Sequence, residues 1–175
     1  MKTYTIKAPG HYSNSPKGLL IAPYGCYFDA TLKPSELEVG KDPYEQHKLF
    51  GFSRGYHHKN SFRVGFIYTG KKFILTAYVY DNGKKPYPKY SVVGWINLTG
   101  TETYLNIESF MFLKNQTLTI CGTLQTPEKE VTFGYHQAYS NKTLFPIGYK
   151  LGFAWGDNQP TTKDKTITIH KIEFL

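Results

Sequence analysis

Between positions 50 and 83 the chain alternates side-chain character so regularly that only one kind of secondary structure fits. Phe50, Phe52, Arg54 and Tyr56 fall on one face of an extended run, and Ser53, Gly55 and His57 fall on the other. A turn at Lys59-Asn60 leads into residues 61–68, where Phe62, Val64, Phe66 and Tyr68 keep step. Thr69-Gly70-Lys71-Lys72 turns the chain again. Residues 73–80 then set Phe73, Leu75, Ala77 and Val79 against Ile74, Thr76, Tyr78 and Tyr80. Asp81-Asn82-Gly83 follows, and Asn-Gly suits a tight hairpin because both central residues need positive φ. Three strands joined by short hairpins make a meander.

Similar runs recur at 90–98, 103–112, 117–121, 130–135, 149–155 and 165–174. Nine or ten short strands without βαβ alternation predict an all-β, antiparallel, two-sheet β-sandwich with less than a tenth of its residues in helix. At 175 residues the chain has the length of a single domain, 1–175. Its period-2 faces nominate Phe62, Val64, Phe66, Leu75, Ala77, Val79, Ile107, Leu151, Ile167 and Ile169 as core. Residues 1–47 differ from the strand-rich body, 48–175. Pro9, Gly10, Pro16, Gly18, Pro23, Gly25, Pro34, Gly40 and Pro43 punctuate them, which predicts a loop-rich opening segment. The apolar patch Leu19-Leu20-Ile21-Ala22 suits one strand, and Ser35 to Glu38 suits one helical turn after Lys33-Pro34.

Charge and cysteine usage narrow the partners. Lys+Arg 21 against Asp+Glu 13 gives a net charge of +8, which favours acidic surfaces. Most lysines fall at hairpin turns rather than between stacking aromatics, so nucleic acid is not the expected partner. Cys26 and Cys121 form no metal or redox motif and read as reduced thiols, Cys121 packed inside and Cys26 in a loop. The histidines lack ligand spacing, so neither a metal nor a cofactor is expected. The first residues lack the apolar core of a secretory signal, and no window approaches a membrane span. That predicts cytoplasmic synthesis, compatible with incorporation into a virion.

The motifs of catalysis are missing. Hydrolysis of a glycosidic bond uses two carboxylates flanking it, and only Glu128 and Glu130 show i, i+2 spacing, at a strand start. No Gly-x-Ser-x-Gly, phosphate loop or dinucleotide fingerprint occurs. The chain is therefore expected not to be an enzyme. Aromatic residues carry more information: Tyr 15, Phe 12 and Trp 2 exceed the ordinary needs of a core. Sugar rings stack on exposed aromatics while their hydroxyls take hydrogen bonds from amides and charged groups. A ligand surface is expected where the 56–63 hairpin, the tyrosine face of the third strand and the 155–158 loop meet. Its residues would be His58, Asn60, Arg63, Tyr78, Tyr80, Trp155, Asp157 and Asn158. Solvated turns and cross-strand packing account for the same residues without a ligand.

The stretch Gly148-Tyr149-Lys150-Leu151-Gly152-Phe153-Ala154-Trp155-Gly156-Asp157-Asn158-Gln159-Pro160, followed by the alternating run Lys165-Thr166-Ile167-Thr168-Ile169, resembles the close of concanavalin-like jelly rolls of the lectin and glucanase type. The block from Leu49 to Arg63, with the tyrosine-rich third strand and Asn82-Gly83, is similar to small uncharacterised proteins of gut bacteria and their tailed phages. The resemblance covers residues 48–175 and implies a jelly-roll sandwich. The chain departs from the glucanase branch, which carries its acids on one strand, and alginate-lyase-like motifs are missing too. What remains is a non-enzymatic module that binds a glycan or another acidic surface polymer. The alternative is a structural or interaction subunit of a phage particle or other assembly, packing on protein partners or on itself.

Overall fold

The structure is a computed structural model that describes residues 1–13, 17–39, 45–84, 91–140, 145–156 and 161–175. Among these, twelve strands form two antiparallel sheets. In chain order they are β1 (Lys2–Ile6), β2 (Gly18–Ile21), β3 (Gly25–Leu32), β4 (His47–Ser53), β5 (Ser61–Tyr68), β6 (Lys72–Tyr80), β7 (Ser91–Asn97), β8 (Leu105–Lys114), β9 (Thr117–Gln125), β10 (Glu130–Ala138), β11 (Ile147–Leu151) and β12 (Lys165–Phe174). The first sheet runs β1-β12-β3-β8-β9-β10 and the second β2-β11-β4-β5-β6-β7. The fold is a jelly-roll β-sandwich of concanavalin-like type.

The alternation read in the sequence sets the register. Phe62 pairs with Val79, Val64 with Ala77 and Phe66 with Leu75 across β5 and β6, all facing the first sheet. Phe28 from the first sheet meets Phe50 of β4 edge-on, with ring centroids 5.3 Å apart. Phe66 stacks on Phe73 at 4.8 Å. Tight contact between large side chains from both sheets is the main favourable term of such a sandwich.

Three features differ from the sequence reading. The segment before residue 47 carries β1, β2 and β3 as well as a 3-10 turn at Pro34–Glu36, and β3 lies centrally in the first sheet between β12 and β8. Its inward residues are Cys26, Phe28, Ala30 and Leu32, two of them small, so the alternation is muted beside the Gly and Pro punctuation. Cys26 is consequently fully buried in a strand, while Cys121 is only half-buried, the reverse of the expected placement. Leu151, expected in the core, lies half-buried on the outer side, opposite Gly51. The remaining nominated core residues are buried.

Strand β4 stops at Ser53 rather than continuing through Tyr56. Gly55 takes φ of +79° there, and Arg54 and Tyr56 pass into the turn that leads to β5.

Candidate functional site

The outer face of the second sheet is where polar and aromatic side chains converge. Arg63 points outward from β5, flanked by Gly51 on β4 and Tyr78 on β6. A Cβ on Gly51 would lie 2.7 Å from the Arg63 Cα and 2.9 Å from its Cγ, so only glycine lets the arginine lie over β4. The residue as a whole is half-buried, and its guanidinium is withdrawn from solvent. Its Nη2 donates to the carbonyl of Leu49 at 3.2 Å and to that of Gly152. Its Nε is buried and has no hydrogen-bond partner. Burial lowers the Arg63 pKa to about 10 against the opposing pull of Tyr78 and Tyr12, so the group stays cationic at neutral pH.

Tyrosines and a lysine surround this cation. Tyr78 is buried on the outer face, with the Lys48 ammonium 5.1 Å from its ring centroid. Burial raises its phenol pKa, and a hydrogen bond with Tyr80 and the charge of Arg63 work against that rise. Tyr80 stands edge-on to Tyr78 at 5.8 Å and to His58 at 5.9 Å. In the turn, the His57 and His58 rings lie tilted by 42° with centroids 3.9 Å apart, and Tyr56 touches both. Burial depresses the His57 pKa first, followed by the charges of His58, Arg63 and Lys48.

The second wall comes from the segment preceding β2 and from β11. Ser13 bonds the Phe153 carbonyl through both its amide and its hydroxyl, and Tyr12 bridges Ala154. This pins Tyr12, 74% exposed, beside the arginine. Tyr149 and Leu151 project from β11 on the same side. Between the walls lies a cleft of about 500 Å³, rimmed by Lys17 and His57, with no Asp or Glu among its described lining residues; the Lys150 ammonium turns away from it onto the Phe174 ring. Farther along the sheet the face is closed by Gln46, whose Nε2 donates to Thr76 at 2.8 Å. Gly65, between them, leaves room for that bridge.

The sequence-nominated residues therefore divide. His58, Arg63, Tyr78 and Tyr80 gather on one surface at this end of the second sheet. Asn60 does not: it is 4% exposed, and its Oδ1 accepts from the Tyr139 hydroxyl at 2.7 Å and the Asn82 amide at 3.2 Å. It anchors the turn. Trp155 is 5% exposed and faces the core, stacked on His47 at 3.8 Å. An aromatic in a glycine-rich stretch reads as surface in one dimension, but a buried imidazole already covers this ring. Asp157 and Asn158 lie outside the described residues.

Tyr12, Lys17, Lys48, His57, Tyr149 and Lys150 went unnominated. Only Tyr149-Lys150 carried a usable signal, an aromatic-cation pair within the stretch quoted above for its likeness to jelly rolls. Among the described residues, no group of three or more His, Cys, Asp or Glu is placed to hold a metal ion. Nor is any helix long and apolar enough to cross a membrane.

No protein-family model matches the chain, and no curated protein matches it by sequence. Solved structures do match. An alginate lyase from Pseudomonas aeruginosa superposes with a TM-score of 0.55 at 11% identity, covering 99% of this chain and 81% of that one. An alginate lyase from Klebsiella pneumoniae gives 0.56 at 7%, over 87% and 59% of the two chains. Alginate lyase A1-II′, of polysaccharide lyase family 7, gives 0.52 at 7%, over 99% and 78%. At such identities the likeness is one of fold.

With alginate lyases on this fold, the expectation that the chain is not an enzyme does not stand. That expectation was built on missing carboxylate pairs and nucleophile motifs, which mark hydrolases. A lyase breaks its bond by elimination, for which a proton acceptor, a proton donor and a positive group at the developing charge suffice.

Proposed function

We propose that the chain binds an acidic polysaccharide in the Arg63 cleft on the outer face of its second sheet. The observation that carries this reading is the composition of the cleft. A desolvated guanidinium with an unpartnered Nε lies among Tyr12, Tyr78 and Tyr149, with Lys17 at the rim and no carboxylate among the described lining residues. Tyrosine rings offer faces to the C–H side of a sugar, and a guanidinium takes a carboxylate in the planar geometry it favours. The net charge of +8 draws polyanions toward the molecule. The solved structures that share the fold are named for activity on alginate, which is a polyuronate.

The same cleft holds residue types that elimination beside a uronate requires. His57 and the tyrosines can exchange protons, and Arg63 can neutralise the carboxylate. The test is calorimetric binding of alginate, of polygalacturonate and of neutral dextran, each repeated with Arg63→Gln and followed by an assay for unsaturated chain ends. Binding of the acidic polymers alone, lost in the variant, supports the reading, and unsaturated ends would add catalysis to it. Equal binding of dextran, or no binding by a chain that self-associates in a solution mass measurement, overturns it.

A further inference from the structure

His57 and His58 occupy the turn between β4 and β5 with ring centroids 3.9 Å apart, so charging both brings a repulsion that an anion beside them would offset. The groups facing the pair offer none. Tyr56 belongs to the same turn, Arg63 faces it from β5, Lys48 from β4, and Tyr78 and Tyr80 from β6. Across the cleft stand Tyr12 and Lys17 on the preceding segment, and Tyr149 on β11. None of these described residues is an Asp or Glu. Asp81, at the end of β6, is buried and accepts from the amide and hydroxyl of Ser140 at 2.8 and 2.6 Å. Among the described residues no Asp or Glu acts on His57 or lines the cleft, and the carboxylate of a ligand is a counter-charge that fits there.

We propose that an acidic glycan entering this cleft is bound together with a proton, taken up on the His57–His58 pair, so that the site holds its ligand more tightly as the pH falls. The inference rests on the acidic-polysaccharide reading above and adds its regulation. Burial, with the charges of His58, Arg63 and Lys48, lowers the His57 pKa, so that in the empty cleft it carries less charge than an ordinary histidine at the same pH. A uronate carboxylate brought beside the pair supplies the missing counter-charge and raises the affinity for the proton. By linkage, the proton raises the affinity for the uronate by the same factor. The sugar's own carboxylates stay ionised above about pH 5, so the titrating group in this range is on the protein.

The experiment is isothermal calorimetry of an alginate oligosaccharide binding to the full chain, in two buffers of different ionisation enthalpy, at several pH values. The expected result is net proton uptake near neutrality and a Kd about three to ten times tighter at pH 5.5 than at pH 8, tenfold corresponding to one unit of imidazole pKa. His57→Gln/His58→Gln should flatten that profile at whatever affinity it retains. His136→Gln, on the first sheet with its ring bonded to Thr119, should leave the profile intact. The proton count in the unmodified chain decides the matter even if the double variant fails to fold. Binding without proton uptake overturns the linkage and leaves the acidic-polysaccharide reading standing. Absence of binding at every pH overturns both.

Discussion

Two aromatic-cation clusters sit on opposite sides of the second sheet, and they have nearly the same residue types. The inner one stacks Trp155 on His47, places the Lys165 ammonium 4.8 Å from the indole, and pairs that ammonium with Glu38 at 2.7 Å. His47 Nδ1 accepts the Gly156 amide at 2.9 Å. The outer one puts Arg63 and Lys48 against Tyr78, with His57 and His58 alongside. The difference lies in what closes each cluster. Inside, the lysine finds a carboxylate and the histidine a backbone donor, so the group is complete and serves stability. Outside, no Asp or Glu is among the described residues that line the Arg63 cleft, and the proposed ligand would supply the missing carboxylate. Residue type alone does not separate structure from function, and counter-charge does.

The comparison breaks most readily at the inner cluster. Trp155→Ala removes a ring buried between His47 and Phe66 and should cost about 3–5 kcal/mol in urea unfolding. A loss below 1 kcal/mol accompanied by lost polymer binding would instead make Trp155 a ligand platform. Acid should act on the same cluster. Burial, chiefly, with help from the charges of Lys165 and Lys48, holds the His47 pKa down to about 3. The unfolded chain then binds the extra proton between roughly pH 6.5 and 3, so stability is complete above the ordinary histidine pKa and falls as the pH drops through that window. The slope from this group is at most about 1.4 kcal/mol per pH unit, and His47→Gln should flatten it between pH 6.5 and 4.5, read by urea midpoints.

The outer cluster should behave in the opposite sense. Arg63→Gln removes a desolvated charge, and its unfolding free energy should shift by no more than about 1 kcal/mol, because such a charge contributes little to stability. Its affinity for an acidic polymer should nevertheless fall at least about tenfold, as expected for a buried charged hydrogen-bonding partner. Tyr80→Ala should have the smallest effect. It should weaken binding about two- to tenfold, the value of one aromatic contact, with stability nearly unchanged.

How far the sequence discloses this follows from what strands and turns encode locally. The β5–β6 hairpin is legible because Phe62, Val64 and Phe66 alternate with polar or small residues on a visible period, and Arg63 and Tyr78 are assigned to the outer face by parity alone. Strand β3 is hidden because Cys26 and Ala30 are weak markers of an inward face. Trp155 and Asn60 look like ligand groups, since a sequence shows donors and rings but not the distant partners, His47 and Tyr139, that satisfy them. Tyr12 and Tyr149 reach the cleft through contacts between segments far apart in the chain, of which local pattern carries no trace.

The proposed function turns on the Arg63 cleft, which has no Asp or Glu among its described lining residues, taking its anion from a ligand. Its most direct test is to compare an alginate oligosaccharide with the same oligosaccharide after reduction of its carboxyl groups to alcohols, each titrated into the wild-type chain and into Arg63→Gln. The account predicts that wild type binds the carboxylated form at least about tenfold more tightly than the reduced one, and that Arg63→Gln erases the preference without moving the unfolding midpoint. Equal binding of the two oligosaccharides by wild type, or an undiminished preference in the variant, would contradict it.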